Sequence, residues 1–214
     1  MDDGGYERRE LWGEEGWAWR DSLSTGHPVY WPKGSDGWYH RRFDRVEPLP
    51  PHQPSIHVNW YEVQAYCRWA GRRLPTETEW EMAASAEGSP DGSSITSRKR
   101  LYPWGDEPPT ARHANLDGRL LSPVDVAAFP EGDSAFGLRQ MIGNTWEWYA
   151  DDFLPYPGFV PDPYKDYSEP WFGDHKVLRG GGWATRGRLL RNTGRNFYVL
   201  DRRDVFPGFR TRAV

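Results

Sequence analysis

The clearest periodic pattern of apolar residues predicts a helix. Val63, Tyr66, Cys67 and Ala70 recur at helical spacing, so we expect them to share one buried face. Gly71 comes next and is predicted to end the helix. Because Cys67 falls on the apolar face, we interpret it as a small core residue rather than a nucleophile.

A second helix is predicted directly after the first. Thr76 and Glu79 have the spacing of a capping box, in which each side chain satisfies a free backbone N–H of the first helical turn. From this start, Trp80, Ala83 and Ala84 are expected to face the core.

Only a few strands are predicted. Residues 29–31 and 38–43 are expected to pair across a turn at residues 33–37, and residues 146–149 alternate as a strand does. Most of the remaining chain is predicted to be loop, since it is rich in glycine and proline.

Composition explains how so irregular a chain can fold. The 214 residues include 23 Gly and 19 Pro, but also 13 Trp, 11 Tyr and 9 Phe. Disordered chains lack aromatic residues, whereas large rings bury much apolar surface. We therefore expect a compact domain held together by aromatic side chains rather than by long regular elements.

Charge and cysteine content exclude several classes of function. The net charge is −4, which gives no basic field for nucleic acid. The single cysteine cannot form an internal disulfide, as fits a reducing compartment. The start of the chain has no secretory signal, and no apolar run is long enough to span a membrane. These features predict a cytoplasmic protein without a nucleic-acid or membrane partner.

Two segments stand out from this background. Residues 1–24 are interpreted as a linker or helical remnant of a missing N-terminal domain, which leaves residues 25–214 as the main domain. Residues 179–210 combine three consecutive glycines, many arginines and aromatic residues. That composition suits either a glycine-rich turn with a solvated basic face or a pocket for a carboxylate ligand.

An ordered set of motifs resembles the sulfatase-modifying-factor, or formylglycine-generating-enzyme-like, family. The motifs are AYCRWAGRRLPTE at 65–77, EWEMAA at 79–84, YPWG at 102–105, FGL at 136–138, GNTWEW at 143–148, RGG at 179–181 and GFR at 208–210. The resemblance implies an α+β, modified C-type-lectin-like fold with many loops and little regular secondary structure.

Further motifs resemble the ergothioneine-type sulfoxide synthases. They are GGYERRELW at 4–12, GWAW at 16–19, HPVYW at 27–31, QMIG at 140–143, PYPGF at 155–159, WAT at 183–185, RNF at 195–197 and RR at 202–203. In that family a DinB-like helical domain holds a three-histidine non-haem iron. The reaction uses dioxygen to join a thiol to histidine betaine. The resemblance implies a substrate-binding or lid domain, with the iron on a DinB-like domain or subunit.

The same resemblance suggests substrate-binding residues. Asn196 would contact the histidine betaine, and Phe197 would face its trimethylammonium group. Arg202 would bind the carboxylate of the thiol substrate. Tyr198 stands where members that use γ-glutamyl-cysteine have an aspartate, which favours cysteine or another thiol or selenol.

Catalysis is expected only together with an iron-binding domain. The six histidines lack the His-x-x-x-His spacing of a helical metal site, so we predict no iron ligands in this chain. Tyr156 and Tyr164 are alternative candidates for the family's proton-donating tyrosine, and packing of a proline-rich loop is the competing interpretation for both.

A calcium site is also implied by the resemblance. Glu147, the backbone carbonyls of Gly143 and Thr145, and the side chain of Gln140 match a calcium site of the formylglycine-generating enzymes. Formylglycine generation itself is not expected, because residues 208–213 have no counterpart of those enzymes' cysteine pair. The alternative function is a non-catalytic C-type-lectin-like binding domain or a degenerate remnant, because a fold does not determine a function.

Overall fold

The computed structural model describes residues 1–24 and 26–214, and within these ranges it has three α-helices and ten short strands. The helices are α1 Glu14–Leu23, α2 Trp60–Ala70 and α3 Glu77–Ser85. The strands are β1 Tyr39–Arg42, β2 Arg45–Pro48, β3 Arg72–Arg73, β4 Ala86–Gly88, β5 Ile95–Lys99, β6 Trp146–Asp152, β7 Lys176–Arg179, β8 Asn196–Tyr198, β9 Pro207–Gly208 and β10 Arg212–Ala213. Single 3₁₀ turns lie at Arg9–Leu11, Pro130–Gly132, Lys165–Tyr167, Glu169–Trp171 and Gly187–Leu189.

A four-stranded sheet in the order β8-β7-β6-β9 organises the core. The pairs β6–β7 and β7–β8 are antiparallel, whereas β9 runs parallel to β6. Because neighbouring residues of a strand point to opposite faces, the sheet has an apolar cluster on each side. Trp148 packs with residues of α2 on one face, and Tyr149 packs with residues of α3 on the other.

Helix α2 forms where the sequence predicts it. Its N-terminus has a capping box, because the Asn59 side chain accepts from the backbone N–H of Glu62 and the Glu62 carboxylate accepts from that of Asn59. Gly71 ends the helix at φ +62°, a conformation that glycine adopts without strain. Cys67 is buried, and its burial raises the thiol pKa to about 11, so its interpretation as a core residue is confirmed.

The predicted buried face of α2 is wrong at one residue, Tyr66. Val63 is fully buried, but Tyr66 is 43 % exposed and its ring contacts Phe209. In helix α3 the capping box between Thr76 and Glu79 is confirmed. The expected burial of Trp80 and Ala84 is confirmed as well.

The predicted turn at residues 33–37 is present, with Lys33 opposite Trp38 in an antiparallel bridge, but the predicted strand at residues 29–31 is not. The regular hairpin joins β1 to β2 across residues 43–44, with Arg42 opposite Arg45. Residues 29–31 form no strand and make only partial contact with β1, where the N–H of Arg41 donates to the carbonyl of Tyr30. Prolines at both ends of that segment lack the N–H that a strand ladder needs.

Residues 1–23 pack against helix α2. Tyr6, Leu11 and Trp12 are buried in one cluster with Ala65, and the hydroxyl of Tyr6 donates to the buried Glu62 carboxylate. The predicted division of the chain after residue 24 remains a prediction, and its boundary residue 25 lies outside the described residues. Within the described ranges, none of the helices has both the length and the apolar character needed to cross a lipid bilayer.

Candidate functional site

Three of the four predicted substrate-binding residues lie together beside the edge strand β8. Asn196 and Tyr198 are two residues apart and therefore share one face of the strand. The amide Nδ2 of Asn196 donates to the Tyr198 hydroxyl at 3.1 Å. The guanidinium carbon of Arg202 lies 4.5 Å from the centre of the Tyr198 ring. We call Asn196, Tyr198 and Arg202 the β8 surface.

The β8 surface has polar groups that can change partners. Arg202 donates from Nε to Oδ1 of Asp204 at 2.8 Å, and this hydrogen bond lowers the pKa of the Asp204 carboxyl. The side chains of both residues are largely exposed, so water weakens the pair. An incoming carboxylate can therefore compete with Asp204 for Arg202. The amide group of Asn196 is also held in one orientation, because its Oδ1 accepts from the backbone N–H of Phe197 at 2.9 Å.

The structure places Phe197 on the opposite face of β8. Its ring stacks on Phe153 with centroids 4.1 Å apart, and it packs with Val177 beside helix α3. A ligand held by Asn196 and Arg202 would not meet this ring in the observed arrangement. The expected contact between Phe197 and a trimethylammonium group is therefore not supported by the geometry, since adjacent strand residues point to opposite faces.

Of the two candidate tyrosines, Tyr156 has the better-defined hydroxyl. Arg179 Nη1 donates to it at 3.2 Å, and the hydroxyl lies 3.3 Å from Oε1 of Glu77. Burial and the negative charge of Glu77 raise the pKa of Tyr156, so the phenol keeps its proton at neutral pH. The ring of Tyr164 is 64 % exposed. Tyr156 lies close to Arg195, which also contacts Phe153, and thus belongs to the Phe197 side of the sheet.

A buried charge network supports Tyr156, and the sequence patterns did not reveal it. Arg195 binds Glu77 through two hydrogen bonds, Nε–Oε1 at 2.7 Å and Nη2–Oε2 at 2.8 Å. Arg179 is fully buried, donates to Glu77 at 2.7 Å and lies 4.5 Å from the centre of the Trp80 ring. Buried charges persist only when paired, so Glu77 holds both arginines in place. Glu77, Arg179 and Arg195 each lie in one of the family motifs. Those motifs were the feature of the sequence that could have pointed to the network.

At the predicted calcium site, the Glu147 carboxylate is paired with the guanidinium of Arg210. Arg210 donates to both oxygens of Glu147, and the hydroxyl of Tyr149 donates to Oε2 of that carboxylate at 2.8 Å. Burial alone would lower the pKa of Arg210, but the charge of Glu147 and its hydrogen bonds raise it. The amide of Gln140 donates to two backbone carbonyls in the 125–128 loop. A calcium ion would need the oxygens that Arg210 occupies, so this arrangement does not fit the ion.

The described residues form no iron-binding cluster either. In the described part of the chain, no three His, Cys, Asp or Glu side chains lie close enough together to hold a metal ion. The described residues therefore do not supply an iron-binding ligand set.

Comparisons with known proteins agree with this architecture. The chain is 45 % identical to hercynine oxygenase of Mycolicibacterium thermoresistibile over 98 % of its length, and 44 % identical to that of Mycobacterium tuberculosis, also over 98 %. These alignments cover 46 % and 48 % of the relatives, so the chain spans less than half the length of the hercynine oxygenases it matches. Formylglycine-generating enzyme of Streptomyces coelicolor is 39 % identical over 62 % of this chain and 43 % of the relative.

Solved structures support the fold. The structure of PvdO from Pseudomonas aeruginosa matches 92 % of this chain and 75 % of its own, with a TM-score of 0.57 and 24 % identity. The predicted α+β fold is thereby confirmed. The model of the sulfatase-modifying factor enzyme 1-like domain matches residues 1–213, and the chain therefore belongs to that family.

Proposed function

We propose that this chain binds a thiol and histidine betaine as part of an ergothioneine-type sulfoxide synthase. A second, DinB-like domain or subunit would hold the iron, which activates dioxygen when bound. One observation carries the proposal: Asn196, Tyr198 and Arg202 form a connected surface in a chain that is 45 % identical to a hercynine oxygenase. The partner domain would cover this surface and complete the pocket.

The β8 surface supports distinct roles for its residues. Arg202 exchanges Asp204 for the carboxylate of the thiol substrate, a charge-assisted contact that fixes the substrate's orientation. Asn196 contacts the histidine betaine through its amide, which the backbone of Phe197 holds in one orientation.

The identity of residue 198 bears on which thiol is used. The hydroxyl of Tyr198 accepts from Asn196, and its ring lies under Arg202. A phenol in this position provides no negative charge for the ammonium group of a γ-glutamyl substrate. Cysteine, or another thiol or selenol without that extension, is the preferred substrate in this proposal.

Tyr156 is the better-supported proton donor, because its hydroxyl is held between Arg179 and Glu77 and keeps its proton at neutral pH. It lies on the opposite face of the sheet from Asn196. Its participation therefore requires that the substrates reach around the edge strand β8.

Reconstitution tests the proposal. The chain is combined with a DinB-like domain, ferrous iron, cysteine and histidine betaine, and the C–S product is measured by mass spectrometry. We expect product with the wild-type chain, and a loss of about 10- to 100-fold in kcat/KM for Arg202→Gln. Arg188→Gln, an exposed arginine outside the β8 surface, is the matched control. A complex that holds iron but forms no product would contradict the proposal and favour the alternative function, a non-catalytic binding domain.

A further inference from the structure

A cavity of about 570 Å³ is lined by residues outside both the β8 surface and the Tyr156 network. It is bordered by the β1–β2 hairpin, the proline-rich loop after it, and residues near the C-terminus, and it is open to solvent on one side. Its volume lies in the range of small-molecule sites, roughly 300–1,000 Å³. Part of its wall is a chain of ring contacts: Tyr30 to His57 at 4.7 Å, His57 to Phe206 at 5.1 Å, and Phe206 to Trp183 at 4.8 Å.

The backbone at the cavity wall has an unusual conformation. Phe43, His57, Leu121 and Phe206 all line the cavity, and their φ angles are +53°, +61°, +51° and +55°. Bulky residues rarely adopt this left-handed region, because the side chain crowds the backbone. Such conformations cluster at ligand sites, where the surrounding structure holds them in place. Phe43 lies in the two-residue turn between β1 and β2, where a positive φ is usual. The conformations of His57, Leu121 and Phe206 are in keeping with a wall shaped for a ligand.

Two hydrogen-bond donors of the cavity wall have no partner among the described residues. Arg41 lines it, and its guanidinium makes no hydrogen bond or ion pair with residues 1–24 or 26–214, whereas Arg42 pairs with Glu47 at 3.5 Å. Trp183 is 5 % exposed, and its indole N–H has no acceptor in the same ranges. The one carboxylate on the wall, Asp204, is already bound by Arg202.

His57 adds a neutral polar group. Its Nδ1 donates to the backbone carbonyl of Arg203 at 2.7 Å, which leaves Nε2 as an acceptor. Burial is the main cause that lowers the pKa of His57, so the ring is uncharged at neutral pH. The unpaired charge at the cavity is therefore that of Arg41.

We propose that this cavity binds a small organic carboxylate with an apolar or aromatic body. The carboxylate pairs with Arg41, and the body packs against the contacting rings of Trp183 and Phe206. An unpaired guanidinium beside an aromatic wall suits this class of ligand, because the carboxylate gains a charge-assisted bond and the body loses contact with water. The cavity lining includes none of the three residues of the β8 surface.

The cavity is nevertheless a neighbour of Arg202. Tyr30 and Asp204 line both this cavity and the shallow depression that contains Arg202. A ligand that displaces Asp204 would leave Arg202 without this hydrogen-bond partner. Ligand binding in the cavity would then change the ability of Arg202 to bind another carboxylate at the β8 surface. This link is a consequence of the site and is not needed for binding.

Calorimetry with the whole chain tests the proposal. Phenylacetate and indole-3-acetate are titrated in turn, with phenylacetamide and inorganic phosphate as probes that lack the charge or the apolar body. We expect saturable binding of the two carboxylates, with phenylacetamide and phosphate at least tenfold weaker. Arg41→Gln should weaken carboxylate binding about 10- to 100-fold. Arg45→Gln, on the adjacent strand and outside the cavity, should leave binding unchanged.

Two results would overturn the proposal. One is the absence of saturable carboxylate binding at millimolar concentration, and the other is equal binding by the wild type and Arg41→Gln. Arg41 is exposed, so its replacement is not expected to disturb folding. A Trp183→Phe variant identifies the Trp183 indole N–H signal by NMR, and that signal should shift on binding. The experiment contains no iron, thiol or histidine betaine, so its failure leaves the proposed function untouched.

Discussion

Arg210 donates hydrogen bonds to both carboxylate oxygens of Glu147, Nε–Oε2 at 2.5 Å and Nη2–Oε1 at 2.8 Å. The pair ties the end of the chain to the central strand β6 across 63 residues of sequence. Glu147 is 6 % exposed, so little water can replace Arg210 if it is removed.

Replacing Arg210 should therefore destabilise the fold. Arg210→Met leaves the Glu147 carboxylate buried without a cation, and we expect a loss of about 3 kcal/mol in the free energy of unfolding, measured in urea. The double variant Glu147→Gln/Arg210→Met should recover part of the loss. An effect below about 1 kcal/mol, as expected for an exposed pair, would contradict this account.

Calcium should have little effect on stability. Because Arg210 occupies the Glu147 oxygens, millimolar Ca²⁺ should leave the melting temperature within about 1 °C of its value in a chelator. A melting temperature that rises steadily with Ca²⁺ concentration would show that the ion displaces Arg210 and that the calcium prediction holds.

Glu79 should produce a distinct loss of stability in acid. A hydrogen bond from Arg73 is the largest cause that lowers its pKa, to about 2 from 4.5. The unfolded chain binds the proton more tightly, so the contribution of Glu79 is present above pH 4.5 and is lost as the pH falls toward 2. Thermal melts of Glu79→Gln should show a shallower decline across this window. Glu107→Gln, an exposed control, should decline as the wild type does.

Arg195 should keep the Tyr156 loop ordered. It stacks 4.4 Å from the centre of the Tyr156 ring, binds Glu77, and donates to the backbone carbonyl of Leu154 at 2.9 Å. In Arg195→Gln we expect faster hydrogen exchange for residues 153–159, because all three contacts are weakened. Arg188→Gln is the control, and an unchanged exchange rate in Arg195→Gln would show that the loop is held by other contacts.

Residue 198 should influence the choice of thiol. In the reconstituted synthase, Tyr198→Asp should shift the ratio of kcat/KM toward γ-glutamyl-cysteine over cysteine by about tenfold, because the carboxylate can pair with the substrate ammonium. Tyr198→Phe removes only the hydroxyl that accepts from Asn196 and should leave the ratio unchanged. A similar ratio in all three proteins would mean that residue 198 does not contact the thiol.

Local sequence signals predicted the elements that depend on near neighbours. The capping box at Thr76 and Glu79 and the glycine after α2 specify helix ends within a few residues, because their hydrogen bonds are local. The ordered motifs identified the family and its irregular fold. Residues 29–31 lie opposite β1 across the predicted turn but form no regular strand, because the prolines that flank the segment lack the N–H donors of a strand.

Only the tertiary structure decided which distant residues meet. Arg195 lies 118 residues from Glu77, and no spacing rule relates the two positions. Strand β8 has three residues, too few for alternation to predict which face Phe197 takes. The pairing of Glu147 with Arg210 rather than with a metal ion likewise depends on how the end of the chain packs beside β6. The sequence determined the local elements and the family, and long-range packing decided which charges are paired and which surface carries the candidate site.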